Sequence, residues 1–146
     1  MTQFTANGSG LALRLKEDTS PEKSKGGVRT LNYDMIHLES GETVGFILLR
    51  VGYTTEVVRY NGHIGYGVEP NWRGRGFASQ ACTLLKEVAQ SLGMDVIWIT
   101  CSPENWSSRK TCERVGATLV EVVDVPLEIP SPSHERTRCR YRWILY

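Results

Sequence analysis

Residues 73–78 read RGRGFA and join a glycine-containing apolar stretch to a long helical pattern. From Phe77 onward, apolar residues recur at i, i+4, i+7, i+8, i+11 and i+15, and Gly93 ends the pattern. The first N–H groups of a helix lack partners inside it, and the helix dipole adds positive charge there. The two glycines let an anion approach the main chain, and the two arginines add charge. We therefore predict a phosphate or pyrophosphate site at this junction.

The spacing of this segment excludes two common phosphate motifs. It lacks the GxxxxGK[ST] pattern of a P-loop, and it fails GxGxxG because residues 74–76 are followed by Phe-Ala-Ser. A dinucleotide-binding strand also comes early in a parallel βαβ unit, whereas three apparent strands precede the strand that leads into this site.

The chain upstream of the junction is predicted to be mostly extended. Residues 63–69 resemble a strand, and the two glycines inside it indicate a bulge or the close approach of a ligand. Residues 31–38 and 43–51 flank a Ser-Gly-Glu turn and predict a hairpin, and residues 11–15 alternate as a strand does. The connections are a polar loop or short helix at 16–30 and a link or strand extension at 52–61.

The chain downstream of the long helix alternates between strand and helix. Residues 95–101 form a short β-branched run that is typical of a buried strand. Ser102 and Pro103 predict the start of a second helix, with the serine as its cap, and Gly116 predicts its end. Strands at 117–123 and 138–145 follow, separated by a proline-containing loop at 124–137.

Every second residue of the final strand is an arginine over 138–142. Alternation of charged and apolar residues on a strand favours a solvent-facing side over an RNA-binding one. Nucleic acid is therefore not the expected partner.

The length predicts a single domain over residues 1–146, with residues 1–10 as a flexible lead-in, and the order of strands and helices predicts that this domain is mixed α/β. The formal net charge of +1 gives no field that favours nucleic acid or an acidic membrane. No apolar run is long enough to span a membrane, and the first ten residues do not resemble a signal peptide. The four cysteines form no CxxC pair and have no histidine at zinc-ligand spacing, so we expect reduced thiols, no metal and a cytoplasmic location.

Three motifs in register resemble the GNAT acetyltransferase family. Residues 73–78 match its (Gln/Arg)-x-x-Gly-x-(Gly/Ala) acetyl-CoA motif, and residues 63–70 are similar to its fourth strand and the exit from it. The run from Asn105 to Ser108, with residues 113–117, resembles its second cofactor-side helix. Within the family, the chain is most similar to the ribosomal-protein alanine acetyltransferase branch and to small relatives.

This resemblance implies a fold and a donor substrate. The fold is α/β, with a mixed, mostly antiparallel sheet flanked by helices and a shortened N-terminal helical region. The family's fourth and fifth strands splay apart, and the slot between them admits the pantetheine arm of acetyl-CoA, the acyl donor. The residues implied to bind it are Tyr66, Gly67, Val68, Arg73, Gly74, Arg75, Gly76, Phe77, Ala78, Asn105 and Ser108.

The implied reaction is direct attack of a primary amine on the thioester, with the backbone N–H of Val68 stabilising the oxyanion. Many relatives protonate the leaving thiolate with a tyrosine seven residues after the asparagine, where this chain has Cys112. Cys112 is thus either a thiol donor or a small buried residue, and Tyr66 and Tyr141 are other donors. The candidate general bases are His63 and Glu69. The alternative for His63 is a structural role, and the alternative for Glu69 is a side chain that faces solvent without a role.

The acceptor is expected to be a small-molecule amine or a protein N-terminus. Its cleft is either open or completed by a second copy in a homodimer, because only residues 16–30 stand where the family has two helices between its first and second strands. Residues 52–60 and the loop 124–137, with His134, Glu135 and Arg136, are candidate walls. The alternatives to an enzyme are a non-catalytic CoA-binding or regulatory module of the same fold and a nucleotide-binding protein.

Overall fold

The computed structural model describes residues 4–6, 10–24, 26–130 and 136–146. These residues form two α-helices, α1 (Phe77–Ser91) and α2 (Trp106–Val115), and three short helical turns, Pro21–Lys23, Val57–Asn61 and Pro70–Trp72. The strands are β1 (Phe4–Ala6), β2 (Leu11–Thr19), β3 (Arg29–His37), β4 (Thr43–Val51), β5 (Ile64–Val68), β6 (Val96–Cys101), β7 (Thr118–Asp124) and β8 (Thr137–Ile144).

The first five strands form one antiparallel sheet in which every strand pairs with its neighbour in the chain. The predicted hairpin is confirmed as β3 and β4, which pair Tyr33 with Ile47 and Leu31 with Leu49. Gly41 has a φ of +77° in the turn between them, a conformation that glycine adopts without strain. The apolar side of this sheet faces the core.

The remaining strands form a second antiparallel sheet, in the order β6-β8-β7. The strands β5 and β6 touch where the N–H of His63 donates to the carbonyl of Trp98 at 2.7 Å. Beyond that bond they belong to different sheets and separate. Because β5 and β6 correspond to the family's fourth and fifth strands, this separation confirms the predicted splay. We call this point the base of the splay.

Helix α1 packs its apolar side against the five-stranded sheet. Phe77, Ala81, Leu84 and Leu85 of the helix are buried in one core together with Met35 and other sheet residues. Burial of each large apolar side chain contributes about 1.5–3 kcal/mol. This packing fixes the N-terminus of α1 beside the end of β5.

The N-terminal region is short, as predicted, since the turn Pro21–Lys23 is the only helical element described between β2 and β3. No helix among the described residues is both long and apolar enough to cross a membrane.

Two predicted elements differ from the structure, and the structure decides between the two alternatives for a third. Residues 4–6 of the expected flexible lead-in form β1, which pairs with β2, and β2 itself continues to Thr19 instead of ending at residue 15. Residues 52–61 do not extend β4 but contain the helical turn Val57–Asn61, because Val57 is buried in the fold and the turn packs against β6 and β8.

Helix α2 begins three residues later than predicted. Ser102 and Pro103 precede the helix in a turn closed by the Asn105 N–H, which donates to the Ser102 carbonyl at 3.0 Å. The cap is Asn105, whose Oδ1 accepts from the N–H of Ser108 at 3.1 Å. The predicted end at Gly116, with a φ of +93°, is correct.

Arg140 lies on the side of β8 that was predicted to face solvent, but it is only 5 % exposed. Its Nη2 donates to the Val58 carbonyl at 3.0 Å, its Nη1 pairs with Glu121, and its guanidinium lies 4.1 Å from the ring centre of Trp98. The helical turn at 57–61 covers this part of the sheet, and residue alternation within a strand carries no information about such a cover.

Candidate functional site

A cavity of about 650 Å³ lies at the N-terminus of α1, and we call it the large cavity. One wall is the end of β5, another is the segment before α1, and the third is one side of α2. Its lining residues are Tyr66, Gly67, Val68, Trp72, Arg73, Gly74, Gly76, Phe77, Ala78, Ser79, Asn105, Ser107, Ser108, Lys110, Thr111 and Arg114.

The start of α1 is open to a ligand on this side. Its N-cap is Gly76, with a φ of +78°, and a glycine has no side chain to cap the first N–H groups. The nearby hydroxyl of Ser79 donates to the Gly76 carbonyl at 3.0 Å, so it satisfies an acceptor and leaves those N–H groups to a ligand. The N-terminus of α2, by contrast, is closed by Asn105. An anion in the large cavity would therefore meet unsatisfied donors and the positive end of a dipole.

Three basic side chains line the large cavity: Arg73, Lys110 and Arg114. Arg73 is held by a bond of 2.9 Å from its Nε to the Val68 carbonyl. Arg75 was predicted to help bind the cofactor, but its side chain stacks over Trp72, with 4.7 Å to the ring centre, outside the cavity lining. The open start of α1 and the cations beside it fit a pyrophosphate group.

Sequence reasoning missed Arg114. It follows Ser107 and Lys110 at intervals of three and four residues, so all three lie on one side of α2. That spacing was the signal that could have identified it.

We expect Arg114→Ala to weaken CoA binding about tenfold, because a charge-assisted bond to phosphate is lost. Isothermal titration with CoA and with pantetheine measures the effect, since pantetheine lacks the pyrophosphate and should bind both proteins alike. Lys86→Ala, which removes a cation from the middle of α1, is the matched control. Equal losses for CoA and pantetheine would contradict a phosphate contact. The arginine is a cleaner probe than Gly76, where any side chain would strain the backbone.

A second cavity, of about 380 Å³, lies between β5 and β6, and we call it the small cavity. It shares Tyr66, Asn105 and Ser108 with the large cavity, so the two adjoin where the strands separate. Arg50, Tyr60, Cys101 and Arg138 are among its other lining residues. Of the predicted walls, residues 52–60 contribute Tyr60.

The backbone of β5 presents alternate N–H groups to the splay. The bonds from Arg50 N–H to the His63 carbonyl and from Glu69 N–H to the Val44 carbonyl show that odd-numbered residues pair with β4. Because bonding alternates along an antiparallel strand, the N–H groups of Tyr66 and Val68 face away from β4. These groups are the ones expected to pair with a pantetheine arm and a thioester oxygen.

Tyr66 reaches across the splay to α2. Its hydroxyl donates to Ser108 Oγ at 3.0 Å. Burial raises the pKa of Tyr66, and hydrogen bonds with Ser108 and Thr111 only partly offset that effect. The phenol therefore keeps its proton at neutral pH at the junction of the two cavities.

Cys112 lies away from both cavities. Its side chain is fully buried and lines neither cavity, and a hydrogen bond with Cys101 together with burial raises its pKa far above the ordinary value. Cys101 lines the small cavity, and its pKa is lowered by the same bond and by the charges of Arg109 and Arg138, against the effect of burial. Tyr141, another donor considered from the sequence, is buried with its hydroxyl accepting from Arg109 Nε at 3.0 Å.

Neither of the two candidate general bases lines either cavity. His63 is fully buried at the base of the splay, where its Nε2 is 2.8 Å from the Gly52 carbonyl and its Nδ1 accepts from the Trp98 N–H at 2.9 Å. With both ring nitrogens bonded, His63 joins β6 to the chain after β4. Glu69 is exposed just past the end of β5.

The loop 124–137 is described only at its two ends, so His134 and Glu135 lie outside the described residues. Arg136 donates from its guanidinium to the carbonyls of Val125, Pro126 and Ile129, and so braces the start of the loop. Within the part of the chain that the structure describes, no three His, Cys, Asp or Glu side chains are grouped to hold a metal ion.

The family model described as "Acetyltransferase (GNAT) domain" matches residues 12–118. No curated protein sequence matches the chain significantly. Among solved structures, RimL, the ribosomal L7/L12 alpha-N-protein acetyltransferase, shares 16 % identity over 99 % of this chain and 95 % of its own, with a TM-score of 0.71.

Two other solved structures show the same fold. The ribosomal-protein-S5-alanine acetyltransferase from Vibrio fischeri has 11 % identity over 99 % of this chain and 96 % of its own, with a TM-score of 0.69. The microcin C7 self-immunity acetyltransferase MccE, in complex with acetyl-CoA and AMP, has 22 % identity over 79 % of this chain and 61 % of its own, with a TM-score of 0.61.

Proposed function

Because this chain belongs to the GNAT family of acetyltransferases, we propose that it transfers an acetyl group from acetyl-CoA to a primary amine that attacks the thioester directly. The observation that carries the proposal is the junction of the two cavities at the splay. One cavity has an uncapped helix N-terminus with three cations, and the other opens between the separated strands. Tyr66 lines both.

The large cavity is the proposed donor site. The N–H groups at the start of α1, with Arg73, Lys110 and Arg114, hold the pyrophosphate. The splay-facing N–H of Tyr66 pairs with the pantetheine arm, which leaves that of Val68 for the thioester oxygen. Acetyl-CoA supplies the activated acetyl group. The binding of acetyl-CoA by the structural neighbour MccE supports this assignment.

Two groups of the chain assist the transfer. The N–H of Val68 donates to the thioester oxygen as negative charge develops there. Tyr66 gives its phenolic proton to the sulfur that leaves, in place of the tyrosine that many relatives carry where this chain has the buried Cys112. The new N–C bond forms as the C–S bond breaks, and solvent then returns a proton to Tyr66.

The proton of the attacking amine leaves to water. Among the described residues that line the small cavity there is no Asp, Glu or His, and His63 and Glu69 lie outside it. In this proposal the amine enters as the neutral base or loses its proton to solvent in the cavity. Protein N-termini, with an ordinary pKa of about 7.7–8.0, suit this arrangement better than lysine side chains do.

Release of free thiol from acetyl-CoA, measured across a panel of amines, tests the proposal. We expect turnover with at least one amine and intersecting double-reciprocal plots, because direct attack needs both substrates bound together. Parallel plots would contradict direct attack and favour an acetyl-cysteine intermediate, for which Cys101→Ala is the check. Tight CoA binding without turnover on any amine would favour the non-catalytic module.

A further inference from the structure

One wall of the small cavity is made by the helical turn Val57–Asn61. The turn is a single turn of π-helix, closed by a bond of 2.7 Å from the Gly62 N–H to the Val57 carbonyl. Such turns are rare in proteins and occur frequently at functional sites. Two residues of the turn, Tyr60 and Asn61, line the small cavity. The position of the turn therefore sets the shape of that wall.

The end of the turn is held by side chains of β4 and β6. The last carbonyls of a helix lack partners inside it. Here the Thr100 hydroxyl donates to the Tyr60 carbonyl at 2.8 Å. Arg50 Nη1 donates to the carbonyls of Asn61 at 3.3 Å and Gly62 at 3.0 Å. The strands on both sides of the splay thus fix the end of the turn.

Arg140 holds the start of the turn from β8. Its Nε and Nη2 both donate to the Val58 carbonyl, at 3.3 and 3.0 Å, and its guanidinium lies over the ring of Trp98. Its Nη1 pairs with Glu121 of β7, and that carboxylate also lies 3.8 Å from Arg59 of the turn. Arg140 itself lines neither cavity. The second sheet therefore grips the turn through a buried cation that reaches no ligand site.

We propose that Tyr60 contacts the acceptor amine in the small cavity and that Arg140 is a positioning residue, which acts on the acceptor through Tyr60. This inference rests on the acetyl transfer proposed above. Taking a guanidinium out of water is costly, so its burial is weak evidence for stability, whereas its directional bonds give the turn one fixed place. The Tyr60 ring then offers the acceptor an apolar face and a hydroxyl. Release of the turn would weaken acceptor binding and leave the donor site intact.

Steady-state thiol release tests the contact. The probes are hexapeptide amides with alanine, serine or methionine at a free N-terminus, and the fastest of them is used throughout. We expect Tyr60→Ala to raise the KM for this peptide about tenfold, because truncating an aromatic contact commonly costs that much. The kcat and the Kd for CoA should stay within about twofold of wild type, since no contact with the donor is lost.

Arg140→Met tests the positioning role, because it removes the donors to Val58 and still fills the space. We expect it to raise the peptide KM about fivefold with the same small effect on kcat. Arg140→Lys, which keeps a cation beside Glu121, should recover part of the loss. Arg142→Met is the matched control, since Arg142 is an exposed residue of the same strand that lines neither cavity.

The double variant separates positioning from a general loss of structure. If Arg140 acts through Tyr60, Tyr60→Ala with Arg140→Met should have the peptide KM of Tyr60→Ala alone, whereas independent effects would multiply to about fiftyfold. Leu13→Ala is the stability control, because Leu13 is fully buried on β2 and lines neither cavity. It should lower the melting temperature and leave the peptide KM unchanged.

Amide hydrogen exchange of residues 54–63 gives a readout that needs no acceptor. We expect Arg140→Met to speed exchange in this segment about tenfold, because the turn opens more often, while exchange in β2 stays at the wild-type rate.

Unchanged exchange in the turn, an unchanged peptide KM in Tyr60→Ala, or multiplied effects in the double variant would each overturn the inference while leaving acetyl transfer intact. Absence of turnover with every amine, despite CoA binding, would instead contradict the proposed function.

Discussion

The Tyr66→Phe variant is expected to lose about a hundredfold in kcat, because general acid catalysis by one positioned side chain contributes at least that much. The substitution keeps the ring that lines both cavities and removes only the hydroxyl that donates to Ser108. The KM for acetyl-CoA should change little, since the phosphate and backbone contacts remain. Steady-state thiol release with a saturating amine measures both constants.

Tyr141→Phe is the matched control for this loss. It also removes a buried hydroxyl, one bonded to Arg109, but Tyr141 lines neither cavity, so its kcat should stay within about twofold of wild type. The kcat of Cys112→Ala should also stay within about twofold of wild type. If Tyr66→Phe keeps a third or more of the wild-type kcat, another group protonates the thiolate, and a large loss in Cys112→Ala would identify that group.

The folded protein is expected to lose about 3 kcal/mol of stability between pH 7 and pH 4 through His63 alone. Burial lowers the pKa of His63 from 6.5 to about 4, the bond to the Gly52 carbonyl opposes this, and the charge of Arg50 adds to it. Between those two values the unfolded chain binds a proton that the folded chain does not. Stability is therefore complete above about pH 6.5 and falls as the pH falls through this window. Urea unfolding at a series of pH values measures it.

His63→Gln removes the titrating group and should flatten this part of the profile, although the variant starts from a lower stability at pH 7. His37→Gln is the matched control, because it makes the same exchange at a partly exposed histidine on β3. Parallel profiles for wild type and His63→Gln would show that other groups cause the acid sensitivity.

Features that depend on short-range patterns were predictable from the sequence. The glycines of residues 73–78, the apolar stripe of α1 and the stop at Gly116 act within one or two turns of chain, so spacing alone identifies them. The order of strands and helices then located the splay. The family resemblance assigned the donor site from these same local motifs.

Features that depend on packing between distant elements were not predictable. The buried state of Arg140 requires the turn at 57–61 to cover β8, and nothing within the last strand records that cover. The contact between the Tyr66 hydroxyl and Ser108 is similar, because these residues are separated by 41 residues in the chain and meet only after β5 and α2 have packed. The burial of Cys112 away from both cavities depends on such packing as well.

The order of the strands also has a consequence for synthesis. Strands β1 to β5 pair in chain order, so this sheet can assemble while the rest of the chain is still being translated. The second sheet has its last-made strand, β8, in the middle, between β6 and β7. A chain released before residue 137 would leave β6 and β7 without their shared partner. Such a product would expose unpaired strand edges, and unpaired edges favour aggregation.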